Sequence, residues 1–256
     1  MKKMTHKKNV LITGSSRGIG LYIAKKFYES GYFNVILNSR NEKNLKLAIK
    51  NFGDSKNVYG VVGDASDQNA AKSIIKNAIK HYGQLDIVIC NVGLSSSESK
   101  PGFETFNDWY NFLAANLLSA INIIQSSFET LKLTKGNVIC VSSICGVEYI
   151  AGAPLPYATS KAALNHFVKY ISKIYGKYNI RVNSVSPGNI LFEGSLWQKK
   201  ILKNPSIKNL IIKTVPLQKF GTPSDVSNLV FWLASDEAQF VTGSNYVIDG
   251  GQVSSI

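Results

Sequence analysis

The chain has little of what marks several protein classes. Only three of its 256 residues are cysteine, at 90, 140 and 145. That is an odd number with no metal-type spacing, so neither a disulfide framework nor a metal site is expected. Cys90 and Cys140 sit in apolar runs where packing is the expected role; Cys145 carries no assignment. No apolar run approaches the roughly eighteen residues that cross a bilayer, so no membrane helix is expected. The basic start, with Lys2, Lys3, Lys7 and Lys8, is followed only by Val10 to Gly14 before a glycine-rich turn. That stretch is too short for the apolar core of a signal peptide and lacks a small-residue cleavage site, which predicts a cytoplasmic, reducing compartment. Acid is scarce too: 16 Asp+Glu stand against 29 Lys+Arg, a formal charge of +13. The lysines are scattered singly along expected helices, with no basic stripe interleaved with aromatics. This argues for a solvated surface that attracts anionic ligands, and against nucleic acid or membrane as partner.

Short β-branched apolar runs alternate with longer segments of helical period. Strands are expected at Asn9–Thr13, Asn34–Asn38, Val58–Val62, Leu85–Cys90, Asn137–Ser142, Arg181–Ser186 and Tyr246–Asp249. With 45% hydrophobic residues and no repeat or linker, 1–256 reads as one domain. The expected architecture is α/β, a doubly wound parallel sheet of seven strands with helices on both faces. Ligands then bind at the carboxyl ends of the strands, where motifs matter most. The irregular stretch 188–216 is expected to form either a helical hairpin or a mobile lid over that crevice.

Directly after the first strand comes Thr13-Gly14-Ser15-Ser16-Arg17-Gly18-Ile19-Gly20, running into a helix that should stop at Gly31. Gly14 permits the sharp turn, Gly18 lets backbone approach a pyrophosphate, Gly20 allows close helix packing, and the helix N-terminus offers free N–H groups. Gly14, Ser16, Arg17, Gly18, Ile19 and Gly20 are the candidate contacts. The second strand ends in Asn38-Ser39-Arg40-Asn41. An acid here would bind a ribose 2′-hydroxyl; Arg40, with Arg17 in reach, suits a 2′-phosphate, so NADP(H) is favoured over NAD(H). Arg40 also fits a plain surface residue at a helix start. Asp64 and Ala65 stand where an adenine edge is held, although Asp64, like Asp67, also suits a helix cap. Asn91-Val92-Gly93 marks another strand end.

Strand five ends in Ser142-Ser143, and a helix further on carries Tyr157-Ala158-Thr159-Ser160-Lys161. Residues four apart share a helix face, so the Tyr157 phenol and the Lys161 ammonium should meet. A cation beside a phenol lowers its pKa, as general acid/base catalysis requires, and Ser143 would orient the substrate oxygen.

With these motifs in order, the sequence from Val10 to Gly251 resembles the short-chain dehydrogenase/reductase family and its Rossmann-type fold. The resemblance rests on Thr13–Gly20, Asp64, Asn91-Val92-Gly93, Asn116, Ser143, Tyr157 with Lys161, Pro187-Gly188, and Val241-Thr242-Gly243 through Asp249-Gly250-Gly251. It implies that Tyr157 exchanges a proton with the carbonyl or alcohol oxygen and that Ser143 hydrogen-bonds the same oxygen. Lys161 would bind the nicotinamide ribose, Asn116 would hold a relay water, and backbone after Pro187-Gly188, around Ile190, would face the carboxamide. A homo-oligomer, tetramer or dimer, is implied through the helices carrying Asn116 and Tyr157 and the last strand. Two positions depart from the pattern: Cys90-Asn91-Val92-Gly93 replaces Asn-Asn-Ala-Gly, and Phe192 stands where many members place a carboxamide-binding Thr. The pattern is nearest the 3-oxoacyl-carrier-protein reductases, implying a small carbonyl or alcohol substrate on an acidic carrier. A sugar or nucleotide sugar of surface-glycan synthesis is the alternative, and a cofactor-sensing protein without catalysis a further one.

Overall fold

The computed structural model describes residues 7–254; Lys2 and Lys3 of the basic start lie outside them. Among the described residues, seven strands form one sheet: β1 (Lys8–Ile12), β2 (Phe33–Ser39), β3 (Val58–Val62), β4 (Ile87–Cys90), β5 (Asn137–Val141), β6 (Arg181–Pro187) and β7 (Asn245–Ile248). Their order is β3-β2-β1-β4-β5-β6-β7, every pair parallel. The central strands β4 and β5 are buried along their whole length, as expected of strands covered on both faces. Chain order reverses between β1 and β4, and a crevice opens there at the carboxyl edge.

Helices α1 (Gly18–Glu29), α2 (Glu42–Ile49) and α10 (Pro223–Ala234) cover one face. Ile23, Ala24 and Phe27 of α1 and Val226, Val230 and Leu233 of α10 pack with Val10, Ile12, Val35 and Leu37. On the other face lie α3 (Gln68–Tyr82), α5 (Ser119–Ser126) and α7 (Leu155–Tyr175), with α4 (Phe106–Leu113) before α5 and α6 (Phe128–Thr134) after it. Ile74, Ile75, Ile123, Leu164 and Val168 join Leu11, Ile36 and Val138 there. The spacing of these residues, three and four apart, is the apolar stripe of a helix lying on a sheet.

Six of the seven strands begin or end elsewhere than expected, mostly by one residue, and two of these shifts have local reasons. The Leu85 N–H donates to Thr130 Oγ1 at 2.9 Å and so leaves the ladder. The Asp249 carboxylate accepts from Gly251 and Val253 N–H at 2.8 and 2.7 Å, turning the chain out of β7. At the amino edge a left-handed residue lies between each strand from β2 to β7 and the helical segment before it: Gly31, Gly53, Gly83, Lys135, Asn179 and Gly243, with φ between 52° and 85°. The stretch 188–216 is a helical hairpin, α8 (Leu196–Lys203) and α9 (Ser206–Lys213), turned at Asn204-Pro205, and neither helix has a buried residue.

Candidate active site

The β1–α1 turn holds Gly14, Ser16, Arg17, Gly18, Ile19 and Gly20 as one loop at the carboxyl edge. Gly14 and Gly18 have φ of 61° and 56°, the left-handed region where glycine is unstrained. Arg17 precedes α1 in extended backbone, no side chain caps the helix, and its first turn has no acid. Those N–H groups and the helix dipole suit an anion. The loop is cross-tied from beneath. Asn91 Nδ2 donates to the carbonyls of Thr13 and Gly14, each at 3.1 Å, while Thr13 Oγ1 accepts from Asn91 N–H at 3.0 Å. The Asn91 side chain therefore binds the loop itself, and Gly20 has no room for a methyl group beside Asn91 Nδ2 and the Gly14 carbonyl. A cradle this close to bare backbone fits a pyrophosphate. Thr13 was overlooked as a site residue; its polarity at the end of an apolar strand was the available signal.

At the end of β2, Ser16 and Ser39 hydroxyls are hydrogen-bonded at 3.3 Å, and the exposed Arg40 lies 3.6 Å from Asp64 Oδ2. Burial raises the Asp64 carboxyl, but hydrogen bonds from Ser66 and the Arg40 charge outweigh it, and the net pKa is lowered. The cap of α3 is Asp67, which accepts from Ala70 N–H at 2.7 Å; Asp64 is left facing Arg40. Ala65 is buried, its carbonyl accepting from Asn122 Nδ2 at 3.3 Å.

Ser143, Tyr157 and Lys161 converge beyond β5. Ser143 is buried, and its hydroxyl pulls the pKa of the Tyr157 phenol downward. Lys161, 3% exposed, donates from Nζ to the Val141 carbonyl at 2.8 Å, and burial pushes its ammonium down to about 8. The expected lowering of the phenol by Lys161 is not what this structure shows. Burial drives Tyr157 up to about 12 against the pull of Ser143, and the ammonium is turned into the end of β5. Of the three thiols, Cys90 and Cys140 are buried register partners, and Cys145 donates its N–H to Ser143 Oγ at 3.2 Å.

Asn116 enters this space through an irregularity that periodicity conceals. Between α4 and α5 the backbone widens into a π turn, Ala114–Leu118, of the kind often found at functional sites. The buried amide donates to the Leu94 carbonyl at 3.1 Å and accepts from Leu94 N–H at 3.0 Å, which offsets the cost of a polar group in an apolar helix. Gly93 lies beside it: a Cβ there would be 2.9 Å from Asn116 Oδ1 and 3.5 Å from Lys161 Nζ. Pro187 ends β6. Gly188 passes so close to Asp249 that a Cβ would meet its backbone at 2.8 Å, and Ile190 bridges to Gly221.

This convergence matches known proteins over nearly its whole length. A family model described as enoyl-(acyl carrier protein) reductase matches residues 14–252. The chain belongs to the short-chain dehydrogenase/reductase family. It is 32% identical over 255 residues to a 3-oxoacyl-(acyl-carrier-protein) reductase of Chlamydia muridarum, covering 98% of this chain and 99% of that protein. A 3-oxoacyl-(acyl-carrier-protein) reductase of Brucella melitensis with bound NAD has a TM-score of 0.84 at 27% identity, over 98% of this chain and 93% of that one. L-sorbose reductase of Gluconobacter frateurii, complexed with NADPH and L-sorbose, has a TM-score of 0.90 at 26% identity and covers both chains fully. The protein is thus an oxidoreductase acting at a CH–OH or carbonyl carbon. Among the described residues no cluster of His, Cys, Asp or Glu is placed to hold a metal, and no helix is long and apolar enough to cross a membrane.

Proposed function

We propose that this oxidoreductase uses NADP(H) to interconvert a carbonyl and a secondary alcohol, with Tyr157 as acid and base. The observation that carries the reading is the convergence of the buried Ser143, at the end of β5, with Tyr157, whose pKa it pulls down, and the buried Lys161, whose Nζ reaches the Val141 carbonyl at 2.8 Å. The nicotinamide supplies or accepts the hydride at carbon. Tyr157 holds its proton at neutral pH, since burial keeps the phenol near 12, and is ready to donate it to a carbonyl oxygen that Ser143 also holds. Lys161 is the cation available to steady the phenolate left behind, its own proton retained through neutral pH. Asn116, through Leu94, fixes the wall beside them.

The glycine loop and the α1 N-terminus would hold the pyrophosphate, and Ser16, Ser39 and Arg40 the 2′-phosphate. The structural neighbours carry NAD in one case and NADPH in the other, so the preference rests on this chain's Arg40 and the lack of an acid at 38–41. For the substrate we favour an acyl thioester on an acidic carrier. Over 188–216 the lid has lysines at 199, 200, 203, 208 and 213 against the single acid Glu193, a field that attracts anions. A sugar substrate is the second reading, favoured by the full-length likeness to L-sorbose reductase. The outer faces of α4–α5 and α7 leave Phe106, Tyr110, Leu118, Leu155, Tyr170 and Ile174 exposed, which supports a homo-oligomer through these helices. The deciding experiment titrates NADPH and NADH, then follows oxidation of the reduced cofactor with 3-oxoacyl thioesters and keto sugars. Preferential NADPH binding, and turnover lost in Tyr157→Phe, uphold the reading; equal turnover by the variant refutes it.

A further inference from the structure

The lid reaches back to the glycine loop through one ring. Gly18 is the middle glycine of that loop, and a Cβ built on it would stand 3.0 Å from Cζ and 3.1 Å from Cε2 of Phe192. In loops of this kind the second glycine stays bare so that backbone and pyrophosphate can meet. Here the bare face is covered by a phenyl ring that belongs to the lid. Phe192 also packs against the core under α1 and α10, and its backbone is pinned: its N–H donates to Ser195 Oγ at 3.3 Å, and the Ser195 N–H returns a bond to its carbonyl at 3.0 Å. Ser195 in turn caps α8. Neither helix of the hairpin has a fully buried residue, and Trp197 packs on Phe220 with ring centroids 5.8 Å apart, so the ring at its stem is a principal hold on a lightly seated element.

We propose that Phe192 is a positioning residue that latches the lid to the cofactor loop. Ring and pyrophosphate compete for the face of Gly18, so that cofactor entry expels the ring and frees the lid to receive substrate. The proposal rests on the reading of Thr13–Gly20 as a pyrophosphate cradle. A phenyl ring accepts no hydrogen bond of useful strength from the loop's N–H groups and a phosphate does, so the two occupants are alternatives. A cofactor that binds only the unlatched state has its apparent affinity reduced by the fraction of molecules unlatched. A latch differs in sign from mere packing: removing it tightens cofactor binding, whereas removing a structural prop weakens it.

The test uses the full chain with Phe192→Ala and Phe192→Leu. Trypsin cleavage at the hairpin lysines, located by mass spectrometry, is timed with and without NADPH, and NADPH dissociation constants are measured by fluorescence titration. Without cofactor, the Phe192→Ala lid should be cut about tenfold faster than wild type, as expected for an element losing its main tie. NADPH should speed cleavage of the wild-type lid and leave that of Phe192→Ala unchanged. Phe192→Ala should bind NADPH several-fold more tightly (about 3- to 10-fold), with Phe192→Leu, whose melting temperature should stay near wild type, in between. Cleavage of Phe192→Ala at the wild-type rate without cofactor overturns the latch, and so does weaker NADPH binding. If neither wild type nor variant binds NADPH or NADH, the cradle reading fails and the competition with it.

Discussion

Gly20→Ala tests the construction of the glycine loop, and its cost follows from three contacts. A methyl group there presses on Asn91 Nδ2, lies 2.7 Å from the Gly14 carbonyl oxygen and 3.0 Å from the Ser15 Cα. Two of these neighbours are backbone, so Asn91 is the group that must yield. It holds Thr13 and Gly14 carbonyls at 3.1 Å each, and losing both bonds costs about 0.5–1.5 kcal/mol apiece. Residual overpacking adds about 1–3 kcal/mol, while alanine's better helix propensity returns up to about 1 kcal/mol. The net is a loss of about 3 kcal/mol, and at roughly 2–4 °C per kcal/mol for a chain of this size the melting temperature should fall by about 10 °C. Scanning calorimetry on Gly20→Ala, Asn91→Ala and the double variant measures it. With Asn91 truncated the methyl has space, so the two losses should fall well short of adding. A Gly20→Ala protein melting within about 2 °C of wild type, or strictly additive losses, would show that Asn91 does not brace the loop.

Lys161 makes stability depend on pH in an unusual direction. Its folded pKa of about 8 lies below the ordinary 10.5, so between those values the unfolded chain binds more protons and stability rises with pH. At about 1.36 kcal/mol per unit the gain is about 3 kcal/mol. Urea unfolding from pH 7.5 to 10 should show it in wild type and not in Lys161→Met; matching profiles would refute it. Above pH 10 the raised Tyr157 phenol acts the other way, because there the folded state holds the extra proton. Arg40→Ala should weaken NADPH binding about 10-fold or more, as expected for a lost charge-assisted contact, with little effect on NADH; equal losses for both cofactors would remove Arg40 from the 2′-phosphate. Asn116→Leu strands the Leu94 N–H and carbonyl and should cost about 2–4 kcal/mol; wild-type stability in calorimetry would show that water replaces the amide without penalty.

Much of the fold was legible because parallel strands announce themselves as apolar runs. Val58–Val62 matches residue for residue, and the glycine loop, Ser143, Tyr157 and Lys161 lie at the strand ends or on the helix face that their spacing implied. What escaped depended on partners distant in sequence. Leu85 left its strand for a hydroxyl 45 residues away. The π turn around Asn116 breaks the 3.6-residue period that a sequence reading assumes, and only Leu94 explains why the amide is buried. The phenol's rise rather than fall comes from its burial, while Lys161 is drawn to a carbonyl 20 residues earlier, a contact no helical spacing encodes. Asp64 and Asp67 were equivalent as caps in sequence; the loop geometry gave α3 to Asp67 and turned Asp64 toward Arg40.

The six left-handed entries along the amino edge have a consequence for how this protein can change. They set where each helix hands over to a strand, and Lys135 and Asn179 hold such a geometry, φ 52° and 59°, that glycine would adopt at no steric expense. Among the described residues, none of the six is hydrogen-bonded to Ser143, Tyr157 or Lys161. The two rims of the sheet are therefore separate heritable modules: the amino rim constrains backbone shape whatever the substrate, while the carboxyl rim can exchange a whole connection, such as the lysine hairpin, without disturbing how the strands are threaded. New specificity is accessible here by grafting loops on one rim only.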